Sequence, residues 1–158
     1  MKLSESLNSA LNEQLTHEMR NVSIYRQIQS YFEGLQLKHI GNYFKEQADH
    51  EFEHANMIIE HINSRIGGIV TIQEISEPII YSSVDEIAIS YVSVEEMTTN
   101  SLESLYGLAL LEKSYIDIDF LSEMLKEQVE EEDSAITFAT KLKTVSDLVL
   151  FDLLLTKE

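Results

Sequence analysis

Six polar residues interrupt apolar patterns at the positions where amphipathic helices would place core side chains, and all but one are good metal ligands. Glu18 lies between Leu15 and Val22; Glu51 lies between Ala48 and Ala55, with His54 one turn further on. Glu95 follows Tyr91 by four residues and precedes Thr98 by three, while Gln128 and Glu131 occupy successive positions between Met124 and Ala135. The spacing repeats. Thirty-three residues separate Glu18 from Glu51 and Glu95 from Gln128, and three separate Glu51 from His54 and Gln128 from Glu131. Each half of the chain thus offers one polar group from one helix and an i, i+3 pair from the next. Burying four ionised carboxylates without compensation costs many kcal/mol, and no Lys or Arg stands at these positions to neutralise them. Protonation could relieve one or two; divalent cations would relieve all four. Glu-x-x-His with additional Glu is the ligand set of dinuclear carboxylate bundles, and such donors suit iron, manganese or zinc.

The elements that must position these groups are long helices. One Pro and five Gly occur in 158 residues, and Gly34 and the pair Gly67-Gly68 stand where helix stops are expected. The pattern predicts a first helix over Leu7–Phe32, with Leu7, Leu11, Leu15, Val22, Tyr25 and Phe32 on its apolar stripe, and a second from about His39 to Ile66. A third opens at Ser83-Val84-Asp85-Glu86, a capping-box pattern, and runs to about Lys113; a fourth starts near Asp119 and carries Leu121, Met124, Ala135, Phe138 and Leu142. Segments 34–38 and 114–118 are short enough for tight turns, which makes each helix pair antiparallel. The 17 residues Gly67–Ser83, containing Pro78, reach roughly 56 Å when extended, while a 28-residue helix is about 42 Å long. That linker can cross the bundle and leave helices two and three parallel. The reading is an all-α, ferritin-like four-helix bundle over about residues 4–143, within one domain spanning 1–158. A short fifth helix over about 147–156 is apolar nearly all round and is expected to pack against other subunits.

Composition narrows the function classes. Acidic residues outnumber basic ones 28 to 11, a formal net charge of −17, so nucleic acid and anionic membrane surfaces are disfavoured partners and cations are natural ones. The chain has no Cys, which removes thiolate chemistry, Cys-ligated zinc and iron–sulfur clusters. No stretch approaches the roughly 20 apolar residues of a membrane span, and Met1-Lys2-Leu3-Ser4-Glu5 begins no apolar signal region. A cytoplasmic location is the expectation.

On these motifs the chain resembles the bacterial-type non-haem ferritins across essentially its full length. The stretches that carry the resemblance are Ala10-Leu11-Asn12-Glu13-Gln14-Leu15 leading to Glu18 and Tyr25, Glu51-Phe52-Glu53-His54, Tyr81-Ser82-Ser83-Val84-Asp85-Glu86, and Glu127-Gln128-Val129-Glu130-Glu131. The resemblance implies that Glu18, Glu51 and His54 hold one iron, with Glu51 bridging to a second iron on Glu95 and Glu131, Gln128 beside the second iron and Tyr25 beside the pair. It implies ferroxidase activity toward Fe(II) with O2 or H2O2, and a homo-oligomeric shell of 24 subunits that stores ferric mineral, with the last helix lining a four-fold axis. Haem is not expected. Bacterioferritins resemble this chain in fold but carry Glu-x-x-His in the fourth helix and a haem-ligating Met after the second-helix Glu, where this sequence has Gln128-x-x-Glu131 and Phe52. Rubrerythrins add a Cys-based domain, and mini-ferritins place iron between subunits.

The resemblance further places a third iron site on Glu127, Glu130, Glu131 and position 50, which is His50 here where those ferritins commonly have Glu. Their Trp near the pair corresponds to Glu123. Glu46, Asp49 and Glu53 are expected as mineral-nucleating groups or as an ordinary solvated helix face, and Asp117 and Asp119 as channel-lining groups or helix caps. Two other functions stand beside this reading: a diiron oxidase acting on an organic substrate, and a metal-buffering stress cage without mineral storage.

Overall fold

The computed structural model describes residues 2–76 and 79–157, so Pro78 lies outside the described residues. Five α-helices follow one another: α1 (Glu5–Gly34), α2 (Lys38–Ser64), α3 (Val84–Glu112), α4 (Tyr115–Thr144) and α5 (Leu148–Leu154), with a closing 3-10 turn at Leu155–Lys157. Local chemistry explains their limits. Ser4 caps α1 by accepting the Leu7 N–H at 3.1 Å, and Gln36, at φ 63°, turns the chain so that Leu37 can bond back to Phe32. Ser83 caps α3 by accepting the Glu86 N–H at 3.2 Å. The return bond of the predicted capping box shifts by one residue, because the Glu86 carboxylate takes the Ser82 N–H at 2.9 Å.

The fourth helix begins at Tyr115, four residues before the predicted start near Asp119. Lys113 adopts a left-handed φ of 54° at the end of α3, which lets the chain reverse in two residues, Lys113 and Ser114. Asp117 therefore sits in the first turn of α4 and not in a loop.

The connections establish the topology. After α2 the linker runs back along α1: Asn8 Oδ1 accepts the Ile69 N–H at 2.9 Å, and Asn12 bonds both the Ile69 carbonyl at 2.8 Å and the Thr71 N–H at 2.6 Å. Further along, Ile75 and Ile79 lie beside Ile24 and Gln27. α3 then descends antiparallel to α1, with Ser101 bonded to Gln14 and Ser6 bonded to Glu112. Helices α2 and α3 are thus parallel, the single-crossover bundle predicted above. The linker leaves α2 tightly packed. A Cβ on Gly68 would fall 2.0 Å from the Ile62 carbonyl oxygen, so only glycine fits there.

The predicted stripe residues are buried throughout except Val22, which is half-buried; Asn21 and Ile24 take the inner face of α1 at that level. The apolar interior falls into two clusters. One gathers Tyr25, Phe32, Phe44, Tyr91 and Phe138; the other gathers Leu11, Leu15, Ile58, Ile62, Leu102 and Leu121. A polar layer separates them. At the bundle's end, α5 packs Leu148 and Phe151 onto the aromatic cluster and leaves Val149, Leu150, Leu153 and Leu154 exposed. Its Asp152 is buried and caps α2, accepting the N–H groups of His39 at 2.9 Å and Ile40 at 2.8 Å. No helix among the described residues is long and apolar enough to cross a membrane.

Candidate metal centre

The polar layer is built by all four long helices. α1 supplies Glu18, α2 supplies Glu51 and His54, α3 supplies Glu95, and α4 supplies Glu131. Glu18, Glu51 and His54 each offer a ligand atom, and these atoms lie within 4.8 Å of one another. Glu51, Glu95 and Glu131 form a second such group, so one carboxylate is common to both. Glu18, Glu51 and Glu95 are no more than 3% exposed. The i, i+3 spacing in α2 explains the first pair: Glu51 and His54 stand one above the other on the inner face, with His54 Nδ1 3.8 Å from Glu51 Oε2.

Neighbouring groups orient the carboxylates. Gln14 Nε2 donates to Glu18 Oε1 at 2.6 Å, Gln128 Nε2 donates to Glu95 Oε2 at 2.8 Å, and the Tyr25 hydroxyl donates to Glu95 Oε1. Asn21 Nδ2 lies 3.5 Å from Glu51 Oε2. His54 Nε2 lies 3.2 Å from Glu127 Oε2 and 3.6 Å from Glu131 Oε1. Two carboxylate oxygens, Glu18 Oε2 and Glu131 Oε2, are buried with no hydrogen-bond partner. Unsatisfied acceptors of this kind are costly, and a bound cation would satisfy them.

The electrostatics agree with that demand. Burial raises the Glu18 carboxyl well above its ordinary range, and the charge of Glu51 raises it further. Burial pushes Glu51 up to about 8 and Glu131 up to about 7, and raises Glu95. Without cations the cluster must therefore hold protons near neutral pH; divalent ions would displace them. Tyr25 is also raised well above its usual value, by burial and then by Glu95, so it stays a hydrogen-bond donor.

The remaining expected residues are placed differently. His50, Glu127 and Glu130 line an open recess of about 300 Å3 between α2 and α4, together with Tyr43 and Gln47. Their ligand atoms do not converge as the two groups above do; among the described residues those are the convergent groups. Glu46 and Glu53 are exposed on α2, but Asp49 is engaged by Arg26 at 2.6 Å and Lys45 at 3.0 Å, so its charge is already compensated. Glu123 is exposed on α4. Asp117 corrects the channel reading: it is fully buried, bonded by Arg65, Ser114 and His61, and lines no surface. Burial alone would raise its carboxyl, but those bonds and the Arg65 charge hold it below its usual value. Asp119 is exposed.

Sequence reasoning passed over Gln14, Asn21 and His17. Gln14 and Asn21 fall four residues before and three after Glu18, on one helix face, and that register was the available signal. His17 bonds the buried Thr98 hydroxyl from α1, a contact only the tertiary structure reveals.

Residues 8–145 match the Ferritin-like domain family. A bacterial non-heme ferritin of Bacteroides fragilis is 30% identical over 150 residues, covering 94% of each chain. One from Staphylococcus aureus is 33% identical over 146 residues, covering 92% of this chain and 87% of its own. Among solved structures, an open pore ferritin from the hyperthermophilic archaeon Archaeoglobus fulgidus superposes with a TM-score of 0.92 at 28% identity, covering 99% of both chains.

Proposed function

The chain belongs to the ferritin family, and from that premise we propose that it is a ferroxidase and iron-storage subunit acting on Fe(II) inside each four-helix bundle. The observation that carries the reading is the shared carboxylate: Glu51 belongs to both convergent ligand groups. In this reading Glu18 and His54 hold one Fe(II), Glu95 and Glu131 hold the other, and Glu51 spans them. The donor set fits the substrate. It is made of carboxylates and one imidazole, two of its oxygens have no hydrogen-bond partner, and the Glu51 and Glu131 carboxyls, raised to about 8 and about 7, exchange their protons close enough to neutral pH for a divalent ion to replace them.

Holding two Fe(II) ions against one carboxylate lets two electrons leave together, which favours two-electron reduction of O2 or H2O2 over release of one-electron radicals. The protein's own contribution is positional. Gln14 steadies Glu18, while Gln128 and the Tyr25 hydroxyl hold Glu95 from two sides. The aromatic and aliphatic clusters bound the layer on two sides, while Glu131 faces the open α2–α4 recess. Fe(III) products then pass to a ferric mineral within a cytoplasmic homo-oligomeric shell of 24 subunits, whose four-fold axis is lined by the exposed apolar face of α5. Haem has no part in this, since Phe52 follows Glu51. His50, Glu127 and Glu130 would serve a third iron in the α2–α4 recess.

The test joins size-exclusion mass to anaerobic Fe(II) loading followed by O2. A shell-sized particle that binds two Fe(II) per subunit and oxidises them rapidly supports the proposal. A monomer, or a shell that leaves Fe(II) unoxidised, refutes it.

A further inference from the structure

On the side where α1 faces α3, beneath the crossover, the bundle has a pocket of about 370 Å3 that opens to solvent past Ile89, Ser93 and Met97. Its exposed lining is mostly apolar, from Ile24, Ile79, Ile89, Val94 and Met97, with the charged Arg20 and Glu86 also at its border. Its inner lining is polar. Asn21 and His17 both line the cavity and both bond the buried Thr98 hydroxyl, at 3.0 Å and 2.9 Å. The same Asn21 amide lies 3.5 Å from Glu51 Oε2. One layer of side chains therefore separates an apolar chamber from the carboxylate common to both ligand groups. The recess of about 300 Å3 between α2 and α4 is more polar and more acidic, with Glu127, Glu130, Glu131 and His50 on its walls.

A hydrated divalent cation gains from carboxylates and loses its water shell against isoleucine and methionine. Dioxygen, small, neutral and apolar, has the reverse preference; dry apolar cavities in proteins take up gases such as xenon. Hydrogen peroxide, which hydrogen-bonds strongly to water, has no such preference for the apolar side. We infer that the α1–α3 cavity is a binding chamber for O2, which reaches the centre past Asn21 and Thr98, while Fe(II) arrives from the acidic α2–α4 side. The inference rests on the ferroxidase reading and names O2 as the oxidant it uses.

Two measurements on the assembled protein test it. The first uses xenon as the probe on metal-free protein, in pressurised crystals or by 129Xe NMR. Xenon should occupy the cavity, and Ser93→Trp and Met97→Trp, two exposed positions at its edge, should each expel it. The second follows Fe(II) oxidation in those variants. The O2-driven rate should fall severalfold with a raised KM for O2, while anaerobic Fe(II) stoichiometry and the H2O2-driven rate stay at the wild-type level. Absence of xenon from the wild-type cavity overturns the chamber, as does a variant that loses xenon and keeps the wild-type O2 rate. Xenon bound in a wild-type protein that oxidises Fe(II) with neither oxidant overturns the ferroxidase reading instead, and the O2 role falls with it.

Discussion

Raising the pH of the metal-free protein from 5 to 8 should weaken it, and Glu131 allows the size of the effect to be worked out. Burial moves its carboxyl from 4.5 to about 7. Between those values the folded chain keeps a proton that the unfolded chain has released, so stability is complete below about pH 4.5 and drains away as pH rises through about 7. At about 1.4 kcal/mol per pKa unit the loss from Glu131 is about 3 kcal/mol per subunit. For a chain of this size each kcal/mol moves Tm by roughly 2–4 °C, so the metal-free Tm should fall by roughly 10 °C across the range. Glu51 and Glu18, raised by burial in the same direction, add to this loss. Asp117 titrates below this window and leaves the slope unchanged. Scanning calorimetry of chelator-treated protein reads the effect, with Glu131→Gln, neutral at every pH, as the control that removes its share. Redox-inert Zn(II) should restore more stability at pH 8 than at pH 5, because its ligands must first lose their protons. A metal-free Tm that is level or rising from pH 5 to 8, with Glu131→Gln superimposed on wild type, would refute the reasoning.

Glu51→Ala should abolish the rapid phase of Fe(II) oxidation in stopped-flow absorbance while far-UV circular dichroism stays unchanged, since it removes the shared ligand and relieves a buried carboxylate cluster. Asp152→Ala removes the acceptor of two N–H groups at the start of α2 and should cost about 1–2 kcal/mol, read by denaturant unfolding, with faster amide exchange at His39 and Ile40. Unaltered exchange there would show that the cap is dispensable. His50→Glu should raise the Fe(II) bound per subunit in anaerobic titration by adding a carboxylate to the recess that holds Glu127 and Glu130; unchanged stoichiometry would place position 50 outside the metal chemistry.

The buried carboxylate layer is legible in the sequence because its residues violate a strong pattern. A charged residue in step with an apolar stripe is conspicuous, and the repeated spacing of 33 and 3 ties the interruptions into one layer. The single crossover was equally legible, since a linker longer than a helix can join parallel neighbours. What escaped depends on partners far apart in sequence. Asp117 reads as an ordinary helix-start residue, and only the arrival of Arg65, 52 residues away, turns it into a buried ion pair. Asp152 stands as a single polar residue in an apolar run, and its purpose appears only when α5 folds back onto the unprotected start of α2. Asn21 displaces Val22 from the inner face because the polar layer needs a donor toward Glu51 and Thr98 at that level, a demand that apolar periodicity does not encode.

Anomalous diffraction from crystals loaded anaerobically with Fe(II) tests the central claim most directly. The account predicts two iron peaks within each bundle on either side of the Glu51 carboxylate, one beside Glu18 and His54 and the other beside Glu95 and Glu131, with both lost in Glu51→Ala. A single peak, or iron confined to the α2–α4 recess with the buried layer empty, would contradict it.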